Sequence, residues 1–356
     1  MLLQILTVGT ALIASVALTP AARRLAVHLG AVDAPGPRKV HATPMPLWGG
    51  LAIHAAAAIA VFVFAEMVDG SARLQIAGIF GAATLLVVVG SLDDRGLLHH
   101  QVKLLAAMPI ATAILIAVGV RAVVFSDLFG SGVVAVTADL VLTFLWVVGI
   151  TAAFSILDHM DGLCAGVAAT ASTFFLIVAL GSGQLLVATL AGAVLGAAVG
   201  FLRWNFSPAK IFMGDGGAMF LGFMMATLGL KLRVESAWPG TLLVPALVLL
   251  VPIFDTTLVT ISRLRRGLVP FSSPGKDHTS HRLVTLGLDH RSAVLVMYAV
   301  GTVGGVAALM VRRAPTNIAY GIAGLGMIAA LMIIAWLERT AFERQQRAHA
   351  SSVSAR

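Results

Sequence analysis

Long apolar runs alternate with short polar connections along almost the whole chain. Each run is close to the length of about 20 residues that a helix needs to cross a bilayer. The pattern therefore predicts an all-α, polytopic membrane protein with about eleven transmembrane helices, which would place the two termini on opposite sides of the membrane. The runs lie at residues 2–21, 47–67, 74–92, 103–120, 138–156, 162–181, 184–202, 216–232, 239–261, 292–311 and 317–337.

The composition agrees with this pattern. Hydrophobic residues make up 59% of the 356 residues and charged residues only 11%, with a mean hydropathy of +0.97. Because a soluble domain carries about 25% charged residues, a soluble fold is excluded. The first run has no basic segment before it, so we expect a membrane helix there and no cleaved signal peptide. The single cysteine, Cys164, cannot form a disulfide within the chain.

Basic residues are unevenly divided between the two sets of connections. Of the 24 Lys and Arg residues, 18 fall on one side, including the C-terminal tail, and six on the other. Since basic loops stay in the cytoplasm, we expect the N-terminus outside and the C-terminus inside. The formal charge of +8 then serves topology and contact with the anionic inner leaflet of the lipid bilayer, so no nucleic-acid partner is expected. Nine of the ten histidines share the cytoplasmic side, and His54, within a run, is expected to be a hydrogen-bonded interior residue.

A polar island lies between two apolar runs at residues 203–217. It carries the carboxylate of Asp215 among three glycines, the amide of Asn205 and the ring of Phe212. Such a patch between membrane helices is costly unless it contacts a ligand, an ion or water. The glycines let the backbone approach a ligand closely, next to a helix N-terminus that favours anions. We interpret the island as the floor of an active site for a phosphorylated nucleotide.

Two further connections on the same side supply pairs of carboxylates. Asp93 and Asp94 are adjacent at the mouth of a membrane helix, where a divalent cation or a basic group must neutralise them, although helix capping is a plainer alternative. Asp158 and Asp161 are three residues apart, so both could face one side of a turn. Asp161 followed by glycine is also an ordinary turn before a helix. Three acidic connections facing one compartment favour a shared site.

The remaining two connections on this side are basic. The first contains Lys39 and His41 among four prolines, and is either a topogenic loop or a clamp for phosphate groups. The last follows Asp255, a carboxylate within an apolar run, and contains His278 and His281 three residues apart. This spacing suits two ligands of one metal ion, but no cysteine or carboxylate lies at the spacing that zinc sites use. Hydrogen bonds to phosphate are therefore the preferred interpretation.

Together the five connections resemble those of the polyprenyl-phosphate N-acetylhexosamine-1-phosphate transferases, within glycosyltransferase family 4. This membrane family includes the phospho-N-acetylmuramoyl-pentapeptide transferase of peptidoglycan synthesis. The resemblance covers about residues 33–291, with the motifs in the family's order. The second, third and fifth motifs, and the number of spans, are nearer to the N-acetylglucosamine-1-phosphate branch. The motifs are Arg38-Lys39-Val40-His41 with Gly49-Gly50, Asp93-Asp94 with Lys103-Leu104-Leu105, Asp158-His159-Met160-Asp161-Gly162-Leu163, the segment 205–215, and Asp277-His278-Thr279-Ser280-His281-Arg282-Leu283.

The resemblance implies roles for individual residues. Asp93, Asp94 and Asp215 are implied to be catalytic, with Asp215 and Asp94 binding Mg²⁺ and Mn²⁺ as an alternative ion. Phe212 is implied to stack on uracil, in a uridine pocket lined by Asp158 and Asp161. The other residues implied to bind the phosphates and the sugar are Lys39, His41, Lys103, Asn205, His278, His281 and Arg282.

The resemblance also implies a reaction. A polyprenyl phosphate would attack the β-phosphorus of a UDP-N-acetylhexosamine, with N-acetylglucosamine preferred, and release UMP, which starts the lipid-linked synthesis of a cell-envelope glycan. The expected location is the bacterial inner (plasma) membrane, with the active site on the cytoplasmic face, and a homodimer is allowed. We expect one transmembrane catalytic domain over residues 1–337 and a basic, flexible cytoplasmic tail over residues 338–356.

Four positions depart from the family's usual residues. Ala152 and Ser155 stand where asparagines are usual, His159 replaces Asn or Gly, and Ala218 replaces Ser. These departures bear on sugar specificity. Three alternatives stay open: a muramoyl-pentapeptide transferase, a non-catalytic family member, and a secondary transporter. A transporter, however, would carry its charges near the middle of the membrane, whereas here they cluster at one face.

Overall fold

The computed structural model describes residues 1–35, 43–64, 72–98, 101–234, 240–269, 275 and 277–354, with side chains as far as residue 340. Most of these residues are helical, as the all-α prediction requires. A short antiparallel ribbon pairs β1 (Val32–Asp33) with β2 (Met45–Pro46), with Val32 opposite Pro46. The ribbon ties together the two ends of the first connection.

Fourteen α-helices are present in the described part of the chain. A single π-helical turn, Lys103–Ala107, leads directly into the fourth of them. The helices are α1 (Leu2–His28), α2 (Gly49–Phe64), α3 (Arg73–Asp93), α4 (Met108–Ala117), α5 (Val124–Phe129), α6 (Val133–Leu157), α7 (Leu163–Gly181), α8 (Leu185–Asn205), α9 (Gly214–Lys231), α10 (Gly240–Val248), α11 (Leu250–Arg265), α12 (Thr279–Thr285), α13 (His290–Arg313) and α14 (Thr316–Ser354).

Seven helices among the described residues are long and apolar enough to cross a membrane: α1, α3, α6, α7, α8, α13 and the Thr316–Thr340 part of α14. Helices α10 and α11 would together make an eighth span, bent by 78°. Helix α2 and the segment Lys103–Ala117 are apolar but shorter. The chain is thus a multi-pass helical membrane protein. The count of eleven spans and the side on which each terminus lies stay predictions.

Helix α8 packs against α1 through a stripe of glycines four residues apart, Gly192, Gly196 and Gly200. A Cβ atom on Gly196 would lie 2.2 Å from the Val8 carbonyl oxygen, and one on Gly200 would lie 2.5 Å from that of Leu12. Because lipid is as apolar as the side chains, close backbone packing of this kind holds membrane helices together. The stripe holds α8 against α1, and the last residues of α8, up to Asn205, belong to the polar island.

Helices α2, α3 and α9 meet at a second set of glycines. A Cβ atom on Gly50 would lie 2.2 Å from the Cα atom of Gly217, and one on Gly90 would lie 2.3 Å from the backbone nitrogen of Gly216. The Gly50 N–H also donates a 2.8 Å hydrogen bond to the Met213 carbonyl oxygen. This crossing brings the end of α3 next to the start of α9.

The intramembrane histidine has a partner, as expected. The Nε2 atom of His54 lies 3.1 Å from the Thr84 hydroxyl oxygen. Its ring also meets Phe220 edge-on, with ring centroids 5.2 Å apart. His54 therefore belongs to the contact between α2, α3 and α9.

The predicted tail continues α14 as a helix as far as Ser354. Its first residue, Glu338, forms an ion pair with Arg282, with Oε1 and Nη2 2.6 Å apart. The tail thus begins with a contact to α12. The single catalytic domain and the flexibility of the tail stay predictions.

Candidate active site

Three carboxylates predicted to be catalytic lie together where α3 ends and α9 begins. Asp93 is the last residue of α3, Asp94 follows it, and Asp215 is the second residue of α9. The Lys103 ammonium lies between two of them, 2.7 Å from Asp93 Oδ2 and 2.5 Å from Asp215 Oδ2. The backbone N–H of Asp215 donates a 2.9 Å hydrogen bond to Asp94 Oδ1. We call Asp93, Asp94, Asp215 and Lys103 the acidic centre.

Gly214 allows Asp94 to reach the N-terminus of α9. Its backbone has a φ of +75°, and a Cβ atom there would lie 2.4 Å from Asp94 Oδ2. A left-handed conformation of this kind suits glycine and strains other residues. Helix N-termini stabilise negative charge through their free N–H groups. The glycine motif therefore positions a carboxylate on the positive end of α9.

The negative charge of Asp94 is only partly compensated by its surroundings. Burial raises the pKa of Asp94 to about 7, and the charges of Asp215 and Asp93 act in the same direction. The Asp215 N–H and the Lys103 charge oppose that rise in pKa. Its second oxygen, Oδ2, is buried and has no hydrogen-bond partner in the described part of the chain. A buried, unpartnered carboxylate oxygen invites a cation or a proton donor.

The donor set suits a divalent cation that also binds substrate. No group of three or more His, Cys, Asp or Glu side chains within the described residues is arranged to hold a metal ion. Mg²⁺, however, is commonly bound by one or two carboxylates, with the other ligands coming from substrate phosphates and water. Asp94, with its unpartnered oxygen, and Asp215 provide such a pair. The predicted Mg²⁺ or Mn²⁺ ion stays a proposal.

The connection between α6 and α7 adds a fourth carboxylate beside the acidic centre. Burial raises the pKa of Asp158 to about 8, and the charges of Asp215, Asp94 and Asp161 add to the rise in pKa. Asp158 is therefore within electrostatic range of the acidic centre. Asp161 has a different contact, because its Oδ2 accepts a 2.9 Å hydrogen bond from the Ala209 N–H. Asp161 thus holds the polar island against the α6–α7 connection.

Asn205 binds the same two segments together from α8. Its Oδ1 atom accepts a hydrogen bond of 3.0 Å from the Gly162 N–H, and its Nδ2 atom donates one of 3.0 Å to the Ile211 carbonyl oxygen. The side chain is buried, and both ends of its amide are used by the protein. A contact from Asn205 to phosphate or sugar, as the resemblance implies, would have to replace these bonds. The structure gives Asn205 a positioning role.

Phe212 is held at the rim of the site through its backbone. Its N–H donates to the Pro46 carbonyl oxygen at 2.8 Å, and its own carbonyl oxygen accepts from the Gly49 N–H at 3.0 Å. The ring is half-buried. These bonds fix the residue between the first connection and the polar island, and uracil stacking stays a prediction.

Three histidines lie together next to Asp158. The ring centroids of His159 and His278 are 4.0 Å apart in a stacked arrangement, and those of His159 and His281 are 4.8 Å apart. The His278 Nδ1 atom lies 2.8 Å from Asp255 Oδ2. The Nε2 atom of His159 lies 2.7 Å from the hydroxyl oxygen of Ser280. We call His159, His278 and His281 the histidine cluster.

Arg282 is engaged by the protein itself. Its guanidinium donates hydrogen bonds to the Asp277 carbonyl oxygen (2.7 Å), the Leu337 carbonyl oxygen (3.1 Å) and the Ser262 hydroxyl oxygen (2.8 Å). It also pairs with Glu338, and it is 2% exposed. Arg282 therefore anchors α12 to α11 and α14. A contact with a substrate phosphate would require the loss of part of this network.

Two predicted substrate residues, Lys39 and His41, lie outside the described residues. Trp48, at the far end of the same connection, was missed by sequence reasoning. Its φ is +72°, and its indole N–H donates a 3.1 Å hydrogen bond to the Ser91 carbonyl oxygen. Asp255 was noted in the sequence but given no role, although a lone carboxylate in an apolar run is the signal that could have found it.

Comparison with known proteins decides the family. Residues 76–233 match the family described as glycosyl transferase family 4. A Bacillus subtilis protein named probable undecaprenyl-phosphate N-acetylglucosaminyl 1-phosphate transferase is 37% identical over 302 residues, which is 83% of this chain and 82% of that protein. The chain belongs to glycosyl transferase family 4. The resemblance drawn from the five motifs is thereby confirmed.

Two other relatives extend the comparison. A Mycolicibacterium smegmatis protein named decaprenyl-phosphate N-acetylglucosaminephosphotransferase is 32% identical over 343 residues, with 87% of this chain and 82% of that protein covered. The Escherichia coli K12 protein named undecaprenyl-phosphate alpha-N-acetylglucosaminyl 1-phosphate transferase is 28% identical over 325 residues, covering 86% and 85%. Both matches cover more than four-fifths of this chain and of the relative.

Proposed function

We propose that this protein transfers N-acetylglucosamine 1-phosphate from UDP-N-acetylglucosamine to a polyprenyl phosphate and releases UMP. One observation carries the proposal: Asp93, Asp94 and Asp215 converge with Lys103 at one end of a helical membrane protein. The names of the three relatives support the sugar and the lipid acceptor. The site lies at helix ends, where a lipid headgroup and a soluble nucleotide can meet.

The reaction exchanges one phosphoanhydride bond for another. An oxygen of the lipid phosphate attacks the β-phosphorus of the donor, the bond to the α-phosphate oxygen breaks, and UMP leaves with those electrons. Both reactants are anions, so the barrier is lowered by positioning and by positive charge more than by covalent chemistry. Lys103 supplies one such charge, and Asp93 orients the lipid phosphate or accepts its last proton.

A divalent ion fits the same account. Asp94 and Asp215 would hold Mg²⁺, which when bound supplies charge neutralisation for the diphosphate. Asp158 and Asp161 lie on the adjoining connection and would line the uridine side, with Phe212 at the rim. The histidine cluster adds hydrogen-bonding groups for phosphate. Ala152, Ser155 and His159 distinguish this chain where the sugar is expected to bind.

The proposed orientation places the acidic centre on the cytoplasmic face of the bacterial plasma membrane. The 18-to-6 distribution of Lys and Arg supports this orientation, because basic connections are retained in the cytoplasm. The UDP-sugar donor would then reach the site from the cytoplasm. The N-terminus would then lie outside and the C-terminus inside.

The alternatives make different predictions. The three relatives are named for N-acetylglucosamine, so nothing favours a muramoyl-pentapeptide donor. A secondary transporter would place charge near the membrane midplane, whereas the acidic centre lies at the ends of α3 and α9. A non-catalytic member would keep the fold and release no UMP.

The test is transfer by purified protein in lipid nanodiscs. Undecaprenyl phosphate and Mg²⁺ would be supplied with radiolabelled UDP-N-acetylglucosamine, UDP-N-acetylgalactosamine or UDP-N-acetylmuramoyl-pentapeptide in separate reactions. We expect label in the lipid fraction and equal UMP release with UDP-N-acetylglucosamine, and neither after EDTA treatment. Transfer from the pentapeptide donor alone, or no UMP from any donor, would contradict the proposal.

A further inference from the structure

Asp255 is a buried carboxylate in α11 that holds the segment carrying two histidines. Its Oδ2 atom lies 2.8 Å from His278 Nδ1, and its Oδ1 atom accepts a 2.7 Å hydrogen bond from the Thr279 N–H. The residue is 1% exposed. A carboxylate within a membrane helix is costly and tends to mark function, so the identity of its partners is informative.

The contact determines which nitrogen of His278 is available. A carboxylate can only accept hydrogen bonds, so Nδ1 of His278 must carry the proton. That leaves Nε2 as the ring nitrogen free to meet a ligand. A buried aspartate fixes the histidine of Ser-His-Asp enzymes in the same way, and its replacement by asparagine there reverses the tautomer.

His159 holds the other face of the same ring. It stacks on His278 with an interplanar angle of 30°. Its own ring is fixed at both nitrogens, since Nδ1 lies 3.0 Å from the Ile156 carbonyl oxygen and Nε2 lies 2.7 Å from the Ser280 hydroxyl. A carbonyl oxygen can only accept a hydrogen bond. In the neutral ring, Nδ1 of His159 therefore donates to Ile156, and Nε2 accepts from the Ser280 hydroxyl. The His278 ring is therefore held at Nδ1 by the Asp255 carboxylate and on one face by the stacked ring of His159.

The histidine cluster adjoins the acidic centre. His159 directly follows Asp158 in the chain. The charges of Asp215 and Asp94 contribute to the raised pKa of Asp158. The two sites therefore share the α6–α7 connection. A diphosphate bound at the acidic centre would lie beside the histidines, and the free Nε2 is the group of His278 that can reach it.

We propose that Asp255 is a positioning residue for the transfer reaction, which fixes the proton of His278 on Nδ1 and presents Nε2 to the diphosphate of the donor. This inference rests on the proposed function. A diphosphate offers only acceptor oxygens, so in the complex Nδ1–H would donate to Asp255 and Nε2–H would donate to the phosphate oxygen on which charge grows as UMP departs. An interaction that strengthens in the transition state acts on kcat more than on KM.

The first test is Asp255→Asn. The asparagine oxygen can still accept from Thr279, which turns its NH₂ group toward His278 Nδ1 and reverses the tautomer. We expect kcat to fall about 100-fold, because a ring whose Nδ1 must accept a hydrogen bond can no longer be the charged donor to the departing UMP, with KM for both substrates within about 3-fold. Unchanged kcat in folded Asp255→Asn protein would overturn the inference.

Asp139→Asn is the matched control. Asp139 is also fully buried in a membrane helix, and its carboxylate accepts from two backbone N–H groups, Phe125 at 2.8 Å and Ser126 at 3.0 Å. It lies near the start of α6, whereas Asp158 follows the end of that helix. We expect kcat of this variant within about 2-fold of wild type, because only a local cap is lost. An equal loss of kcat in both variants would assign the Asp255 effect to general destabilisation.

A double-mutant cycle shows whether Asp255 acts through His278. If it does, Asp255→Asn combined with His278→Ala is no slower than His278→Ala alone. A double variant whose loss of kcat equals the product of the two single-variant losses would contradict the inference. Should Asp255→Asn fail to fold, Asp255→Glu retains the charge with a displaced carboxylate, and we expect an intermediate loss of kcat with the same cycle outcome.

The tautomer itself is measured by ¹⁵N NMR of histidine-labelled protein, with His278 assigned from its loss in His278→Ala. We expect a protonated Nδ1 in wild type and a protonated Nε2 with unprotonated Nδ1 in Asp255→Asn. The same tautomer in both proteins would overturn the inference. This readout needs no turnover, so an inactive wild type with the expected tautomers would refute the proposed function and leave the Asp255–His278 geometry supported.

Discussion

The backbone N–H of Asp215 donates a 2.9 Å hydrogen bond to Oδ1 of Asp94, although the two residues are 121 positions apart. The bond sets the end of α3 against the start of α9. It also places the Asp94 carboxylate at the positive end of the α9 dipole. The geometry of the acidic centre therefore depends on how closely these two helix ends approach.

Gly214→Ala tests that approach. A Cβ atom would lie 2.4 Å from Asp94 Oδ2, at a φ of +75°. We expect the alanine to displace Asp94 and to lower UMP release about 100-fold, since small displacements of reacting groups have effects of that size. The strained backbone adds a cost of about 1–3 kcal/mol. The rate of UMP release and the melting temperature are measured together.

Gly183→Ala is the control for Gly214→Ala. Gly183 also has a positive φ, +65°, but no atom of the described residues lies within 4 Å of the added Cβ position. It stands between α7 and α8, at the opposite end of α8 from Asn205. A similar drop in melting temperature with normal UMP release is expected. Equal loss of activity in both variants would refute the role of the Gly214–Asp94 contact.

Lys103→Met removes the charge between two carboxylates. Asp93 and Asp215 would then face each other unshielded, and breaking a partly buried ion pair is destabilising. We expect the melting temperature in EDTA to fall by about 5 °C. Added Mg²⁺ should raise it more in the variant than in wild type, because a cation replaces the missing ammonium.

Lys231→Met provides the comparison for Lys103→Met. Lys231 donates a 2.7 Å hydrogen bond to the neutral Gln75 side chain at the other end of α9. Its loss leaves no pair of carboxylates unshielded, so no difference from wild type in the response to Mg²⁺ is expected. A Lys103→Met protein as stable in EDTA as wild type would contradict the shielding role.

The shifted pKa values of Asp158 and His159 predict opposite effects of pH on the stability of the protein. Burial raises the pKa of Asp158 to about 8, above the value of about 3.9 in an unfolded chain. The folded state therefore binds the extra proton, and this contribution to stability is lost as pH rises through 8. Burial and the neighbouring His278 lower the pKa of His159 to about 3, so its contribution is lost as pH falls below about 6.5.

The two effects cancel between about pH 4 and 6.5. Above that range Asp158 acts together with Asp94, whose pKa is raised to about 7. Melting temperatures in EDTA should therefore fall from pH 6.5 to 8.5 in wild type. Asp158→Asn should abolish the part of the fall above about pH 7.5, leaving the part due to Asp94, and His159→Phe should retain the whole fall. A fall of the same size in Asp158→Asn would show that another group is responsible.

Asn205→Leu removes both hydrogen bonds that join the α6–α7 connection to the polar island. The Gly162 N–H and the Ile211 carbonyl would be left unpaired, at a cost of about 1–3 kcal/mol each. We expect KM for UDP-N-acetylglucosamine to rise about 10-fold as the uridine side loosens. Asn317→Leu, an exposed asparagine at the start of α14, should leave KM unchanged. An unchanged KM in Asn205→Leu would contradict the positioning role.

The convergence of Asp93, Asp94 and Asp215 could be predicted from sequence, because acidic motifs in connections on one side of a membrane protein share a compartment. The family could be predicted for the same reason. The 18-to-6 charge distribution gave an orientation that the helices alone do not determine. The apolar pattern also placed helices correctly, but span length was less predictable, since α2 has 16 residues and α10 and α11 are bent by 78°.

Partner choice within the site could not be predicted. Lys103 and Arg282 look alike in sequence as phosphate ligands, yet one lies between carboxylates and the other is bonded to carbonyl oxygens and Glu338. The difference depends on tertiary packing of α12 and α14. The Asp255–His278 contact likewise depends on how α12 returns to α11, which no local pattern encodes.

The central claim is that the carboxylates of the acidic centre carry out the transfer, and one comparison of variants tests it most directly. UMP release and lipid labelling would be measured for Asp215→Asn and for Asp127→Asn, an exposed carboxylate on α5, in nanodiscs with UDP-N-acetylglucosamine, undecaprenyl phosphate and Mg²⁺. We predict a loss of at least about 100-fold for Asp215→Asn and a rate near wild type for Asp127→Asn. An Asp215→Asn protein that keeps half or more of the wild-type rate would contradict the account.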